Sequence, residues 1–173
     1  MFGSLFRFSV LNEALELAGF VLVHCAAIAD ANRAGELICP FAVLEGDDGR
    51  QVVDFESETQ EEAVSKGWAS LGEAKSNNVS WAFGREGLYR EPDGNAVDVL
   101  TVSVWMSGMK EHYSVLQRFG RREDQAIYFI GAPELLKHKG ESAEPVERWN
   151  EKAIERGVVN HPKGSMWPQW RTQ

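Results

Sequence analysis

Cysteine is nearly absent. Cys25 and Cys39 are the only two in the chain, and no Cys-x-x-Cys or His-x-x-x-His pair occurs. Short-spaced pairs of that kind anchor zinc sites, so Cys25, Cys39, His24 and Glu36 give no basis for a metal centre, and no cofactor is expected. Positive charge is also scarce: 18 Lys+Arg stand against 26 Asp+Glu, a net charge of −8. That balance disfavours generic attraction to nucleic acid or an anionic membrane. The imbalance is uneven. Residues 1–136 hold 11 basic and 21 acidic side chains, whereas residues 137–173 hold 7 and 5. The tail can therefore fold back on its own body or reach an acidic partner. Low-complexity segments and internal repeats are missing.

The N-terminus has the basic residue and apolar run of a signal peptide, but Glu13 and Glu16 interrupt the run and His24 fits poorly before Cys25. The run after Gly19 is read as too short to span a membrane. A cytoplasmic protein with reduced thiols is expected.

What the chain does have is a periodic apolar stretch. Leu11, Leu15, Ala18, Leu22, Cys25 and Ala29 recur at helical steps, and Leu17, Val21, His24 and Ile28 add a second stripe. Residues 11–31 are read as a helix that is apolar on nearly every side after Gly19, and so buried. Residues 1–9 are read as an irregular or strand-like lead-in that packs Phe2, Leu5, Phe6 and Phe8.

Three hairpins follow. Leu37–Glu45 and Gln51–Glu56 pair about Asp48-Gly49, with Leu44 facing Val53 and Ala42 facing Phe55. Pro40 suggests an edge position for the first of these strands. Ser80–Arg90 and Val97–Met106 pair about Pro92-Asp93-Gly94-Asn95, with Trp81 opposite Met106 and Phe83 opposite Val104, on the same face as Leu100 and Val102. His112–Phe119 and Gln125–Gly131 form the third, with apolar residues on both faces. Between the first two hairpins, Thr59-Gln60-Glu61-Glu62 is a capping box that starts a helix ending near Ser76. Residues 133–139 read as a linker or single helical turn, and Glu144–Arg156 as a charged helix that Gly157 ends. The fold class is α+β: an antiparallel sheet of five to six strands, a buried N-terminal helix across one face and two further helices. Residues 1–140 form the core, and 141–173 a helix and tryptophan-bearing tail packed on the core or on a partner.

Several residues invite a functional reading. Arg85 falls on the buried face in the simple register, where a charge needs a carboxylate, a bulge at Gly84 or a ligand. His112, Tyr113 and Lys110 form a possible acid–base cluster at the sheet rim, with ordinary rim residues as the plainer reading. His24 and Cys25 are adjacent but point about 100° apart on a helix. Gly84-Arg85-Glu86-Gly87 lacks the third glycine of a dinucleotide fingerprint. Arg118, Arg121 and Arg122 with Trp105 and Tyr128 would make a stacking platform for nucleic acid, diluted by Glu123 and Asp124. Of six tryptophans, Trp149, Trp167 and Trp170 have no evident home in a helix-on-sheet core. With Arg171 they suit an interface, or a strap onto the same domain.

These features support a non-enzymatic protein–protein interaction module of adaptor, inhibitor or immunity type, binding another protein or a second copy, without nucleic acid or membrane. The alternative is a small-molecule-binding protein or small hydrolase with a pocket between sheet and helices, using Arg85 or the His112–Tyr113 rim.

Overall fold

The computed structural model describes residues 2–171, and side chains from Val10 to Arg171. Helix α1 spans Phe2–Ala31, and strands β1 (Phe41–Gly46) and β2 (Gly49–Asp54) follow. Helix α2 (Gln60–Ser76) leads into β3 (Ser80–Arg90), β4 (Ala96–Trp105), β5 (Tyr113–Arg121), β6 (Ile127–Lys139) and β7 (Ser142–Pro145). Helices α3 (Glu151–Asn160) and α4 (Trp167–Arg171) close the chain. The seven strands form one antiparallel sheet in the order β2-β1-β3-β4-β5-β6-β7. The class is α+β, with two strands' worth of sheet beyond the lower expectation. The additions are the extension of β6 through residues 133–139, read above as a linker, and its hairpin partner β7.

The N-terminal segment is helical and continuous with α1, not an irregular lead-in. The packing of Phe2, Leu5, Phe6 and Phe8 lies outside the described side chains. Counted from Val10, the apolar part of α1 has 22 residues and is long and apolar enough to cross a membrane, which corrects the length argument above. In this fold that stretch is enclosed instead. Leu15, Leu17, Ala18, Val21, Leu22, Cys25, Ala26 and Ala29 lose almost all contact with solvent between the sheet and α3. An all-round apolar helix gains its burial from two neighbours, one on each side.

The crossing of α1 and α3 depends on two glycines. A Cβ on Gly19 would lie 2.1 Å from the carbonyl oxygen of Ile154, and one on Gly157 would lie 1.8 Å from that of Glu16. Gly157 therefore sits inside α3 as a contact point and does not end it; α3 starts at the N-cap Asn150 and runs to Asn160. Residues 144–145 belong to β7.

The Thr59 half of the capping box forms, its Oγ1 accepting from the backbone N–H of Glu62, while the Glu62 carboxylate accepts from the Ser57 hydroxyl. Ala63, Gly67, Leu71 and Ala74 form the buried side of α2. The first hairpin keeps the expected faces but shifts by two residues, Ala42 pairing with Val53 and Leu44 with Gln51, about a turn at Asp47-Asp48. Strand β1 is interior, paired with both β2 and β3. Pro40 escapes the penalty of a central strand by preceding it, and its carbonyl accepts from Phe55 N–H.

The second hairpin departs by one residue, and this has the largest consequence. Trp81 pairs with Trp105 and Ala82 with Val104. The loop is five residues, Glu91–Asn95, because Gly94 adopts φ +89° and adds a step to the turn. A slip of one residue reverses a strand's faces. Leu100, Val102 and Val104 still face α1, now with Ala82 and Gly84 across from them, while Trp81, Phe83 and Arg85 turn to the α2 side. The ladder runs unbroken past Gly84. That glycine serves close packing: a Cβ there would lie 2.6 Å from Cys25 Sγ and 2.8 Å from Phe41 Cζ.

Candidate binding site on the α2 side of the sheet

The slip in β3 brings together residues the sequence keeps apart. Arg85 pairs with Thr101, and its guanidinium lies 5.2 Å from the centre of the Trp68 ring and 4.9 Å from that of Phe83. It donates one hydrogen bond, 3.2 Å long, to Ser103 Oγ. Ser103 Oγ lies 2.7 Å from Ser114 Oγ, which lies 2.8 Å from His138 Nε2. His138 stacks on His112 with ring centres 4.1 Å apart, and His112 meets Trp68 at 5.2 Å and Trp81 at 5.8 Å. The contacts close into a circuit: Arg85, Ser103, Ser114, His138, His112, Trp68 and Arg85 again.

The proton order in this circuit follows from Arg85, which can only donate. Ser103 accepts from it and donates to Ser114, and Ser114 donates to His138 Nε2. This direction leaves neither hydroxyl proton without a partner, and it requires a neutral His138 carrying its proton on Nδ1. The environment agrees. Burial first, then the nearby Arg85 charge, lowers the pKa of His138, against an upward pull from Glu111. Burial, His138 and Arg85 lower that of His112 to about 4. Arg85 is itself lowered to about 10 by burial, and a guanidinium stays charged at that value.

Arg85 thus carries a largely buried charge with no carboxylate within 4.0 Å among the described residues. Its nitrogens are not among the sealed polar atoms that lack a partner; those are Nε1 of Trp81, Trp167 and Trp170. The guanidinium edge away from Ser103 therefore reaches solvent. Beside it the sheet face opens. Helix α2 packs on β1 and β3, and Leu116, Tyr128, Ile130 and Leu136 stay half-buried on the β5–β6 half of the same face.

The serine–histidine contact has the length of a nucleophile–base pair. Ser114 is 2% exposed and Ser103 is fully buried, so neither hydroxyl can meet a substrate carbonyl as placed. As placed, the arrangement does not present an attacking atom.

The other sequence candidates are distributed as follows. Tyr113 faces the opposite side of the sheet. It lines a cavity of about 700 Å³ with Val10, Leu11, Met109, Lys110 and Lys137, so His112 and Tyr113 do not form one rim cluster. Trp167 and Trp170 are buried against Phe129, at ring-centre distances of 5.1 and 5.9 Å, and strap the tail onto its own domain. Trp149 is partly buried against the same core. Arg171 is exposed, 3.5 Å from Glu155.

The arginine platform assembles only in part: Arg122 lies over the Tyr128 ring, 5.4 Å from its centre, while the other members are engaged elsewhere. Arg118 pairs with Glu91 and Glu134, and Arg121 donates to the carbonyls of Ala29 and Asn32 at the end of α1. Trp105 instead donates to Met109 O. His24 turns from Cys25, whose buried thiol is pushed up, to His161, 3.2 Å away. Among the described residues, no group of three or more His, Cys, Asp and Glu is placed to hold a metal ion. Sequence reasoning missed Ser103, Ser114 and His138. The available signal was that a chain with four histidines places one in a strand at alternate spacing with Leu136 and Glu134.

Compared with known protein families, curated proteins and solved structures, the chain matches none.

Proposed function

We propose that the chain is a non-enzymatic protein–protein interaction module, of adaptor, inhibitor or immunity type, that meets its partner through the open half of the α2-side face. The observation that carries this reading is the uneven cover of the sheet. One face is covered by α1 and the tail apart from the cavity beside Tyr113, whereas Leu116, Tyr128, Ile130 and Leu136 stay half-exposed on the other. Apolar surface interleaved with charge is a common form of a recognition surface. Here Arg118, paired with Glu91 and Glu134, lies between Leu116 and Leu136 on one side and Tyr128 and Ile130 on the other. The partner is a second protein or a second copy. A cytoplasmic setting suits the two free thiols and the enclosed apolar helix.

The test is the double variant Leu116→Asp, Ile130→Asp. Both residues are half-buried, so circular dichroism and the melting temperature should change little. Light scattering reads self-association, and capture from the native host reads a foreign partner. Loss of a partner held by the parent chain supports the reading; equal retention by the variant ends it. A second reading, a small-molecule-binding protein or small hydrolase, is supported by the 700 Å³ cavity beside Tyr113; soaking that cavity with fragments would address it.

A further inference from the structure

We propose that the accessible edge of Arg85 is a binding site for a single carboxylate carried on a flat apolar group, such as an aromatic acid. This goes beyond the protein-binding reading and does not depend on it.

Four observations converge. First, a guanidinium withdrawn from water without a counter-charge is an unusual arrangement, because desolvation is normally offset by a paired anion. The protein partner of Arg85 is one neutral hydroxyl, Ser103 Oγ, so four of its five N–H donors remain for a ligand or water. Second, its position is fixed. Trp68 and Phe83, perpendicular to each other with ring centres 5.2 Å apart, back the guanidinium from one side at about 5 Å, and Ser103 is locked by Ser114 and His138. A fork held in this way presents two parallel donors, the geometry a carboxylate accepts. Third, Arg85 is the one cation within the circuit. The hydroxyl chain requires a neutral His138, burial lowers the pKa of both rings, and Lys75 acts on His112 and Glu111 on His138 from outside it. One cation beside a carboxylate neutralises a monoanion and leaves a phosphate dianion half unpaired. Fourth, the walls are flat and apolar. Trp68 and His112 are half-buried with ring centres 5.2 Å apart, backed by the buried Trp81, and Leu116 and Leu136 are half-exposed on the same face.

Benzoate is the probe. The full chain, labelled with nitrogen-15, is titrated with sodium benzoate at constant ionic strength while the indole signal of Trp68 and the ring signals of His112 are followed. A saturable shift confined to these residues is expected, with a dissociation constant on the order of 1 mM for so small a ligand. Inorganic phosphate in a parallel titration should bind more weakly. Arg85→Met keeps the contact with Trp68 and Phe83 and removes a buried charge, so it should fold; benzoate should then bind about tenfold more weakly or worse. Arg85→Lys, which keeps the charge and loses the fork, should fall between. The proposal is overturned if the shifts do not saturate, if Arg85→Met binds as the parent does, if phosphate binds more tightly, or if the shifts gather at Lys110, Tyr113 and Lys137. Benzoate binding is read on the isolated chain and partner loss on the Leu116/Ile130 variant, so either conclusion can fail alone.

Discussion

His24 Nδ1 lies 3.2 Å from His161 Nε2, across 137 residues of sequence, and ties α1 to the turn after α3. The protons in this pair are fixed by a third group. His161 Nδ1 accepts from Lys163 N–H at 2.9 Å, so its Nε2 carries the proton and donates to His24. Neither ring can take a second proton without placing two N–H groups face to face. With His112 stacked on His138, all four histidines of the chain are used in two neutral pairs.

Acid should therefore loosen the fold well above the carboxylate range. All four imidazoles are held below the usual value of 6.5, chiefly by burial. Asp54 pulls His24 back up, and Lys163 pushes His161 further down. A base with a lowered pKa in the folded state binds fewer protons there than in the unfolded chain, so stability rises with pH across the interval. The contribution is complete above pH 6.5 and is lost as pH falls toward about 4, where His112 titrates. Melting temperature measured at steps from pH 7.5 to 4 should fall through this window. His161→Gln should flatten part of the slope; a flat profile in the parent chain would contradict the argument.

Removing the tail should unfold the protein or come close. Trp167 and Trp170 are 7% and 2% exposed, and truncating a buried tryptophan costs about 3–5 kcal/mol. Two such losses compare with a whole domain stability of about 5–15 kcal/mol. Deleting residues 165–173 is expected to abolish the cooperative thermal transition. A truncated chain that melts as the parent does would mean that the strap is dispensable.

Gly157→Ala tests the helix crossing. The added methyl would stand 1.8 Å from the Glu16 carbonyl oxygen, which is backbone and can move only with α1. Overpacking of this kind typically costs about 1–3 kcal/mol, and the rigid obstacle puts this case at the upper end. Urea unfolding reads it. Gly72→Ala in α2, where a Cβ meets nothing within 4 Å, should be neutral or stabilising.

Glu86→Gln should stabilise at neutral pH. Glu86 is 8% exposed on the α1 side and accepts from Ile38 N–H. Burial raises its pKa, with a further push from Asp98. A carboxyl raised in the folded state binds more protons there, so its contribution is present at low pH and is lost as pH rises through the folded pKa. Glutamine keeps an acceptor oxygen for Ile38 and has no charge to bury. Its melting temperature should exceed the parent's at pH 7 and approach it in acid; a lower value at pH 7 would show that the charge itself is needed, through Arg121.

Local signals were readable wherever neighbours in sequence suffice. The Thr59 cap and the apolar stripes of α1 are of this kind, as is the existence of the three hairpins, though each turn lies one or more residues from where the sequence places it. Strand β7 was hidden because Ser142–Pro145 is exposed throughout and carries no alternation. Gly157 misled because a glycine that lets two backbones touch looks the same in sequence as one that ends a helix.

The amino-acid order alone determined that an apolar rod would be enclosed by antiparallel strands, because periodicity and turn chemistry act within a few residues. It did not determine which side of the sheet Arg85 occupies. That rests on one extra residue in the Glu91–Asn95 loop, and a register is decided by how both faces pack at once. Only the folded chain brings Arg85, Ser103, Ser114, His138, His112 and Trp68 into one circuit, since its members come from five different elements and the loop before β5. Only the folded chain turns Trp167 and Trp170 inward, because the core they complete is built by residues far from them in sequence.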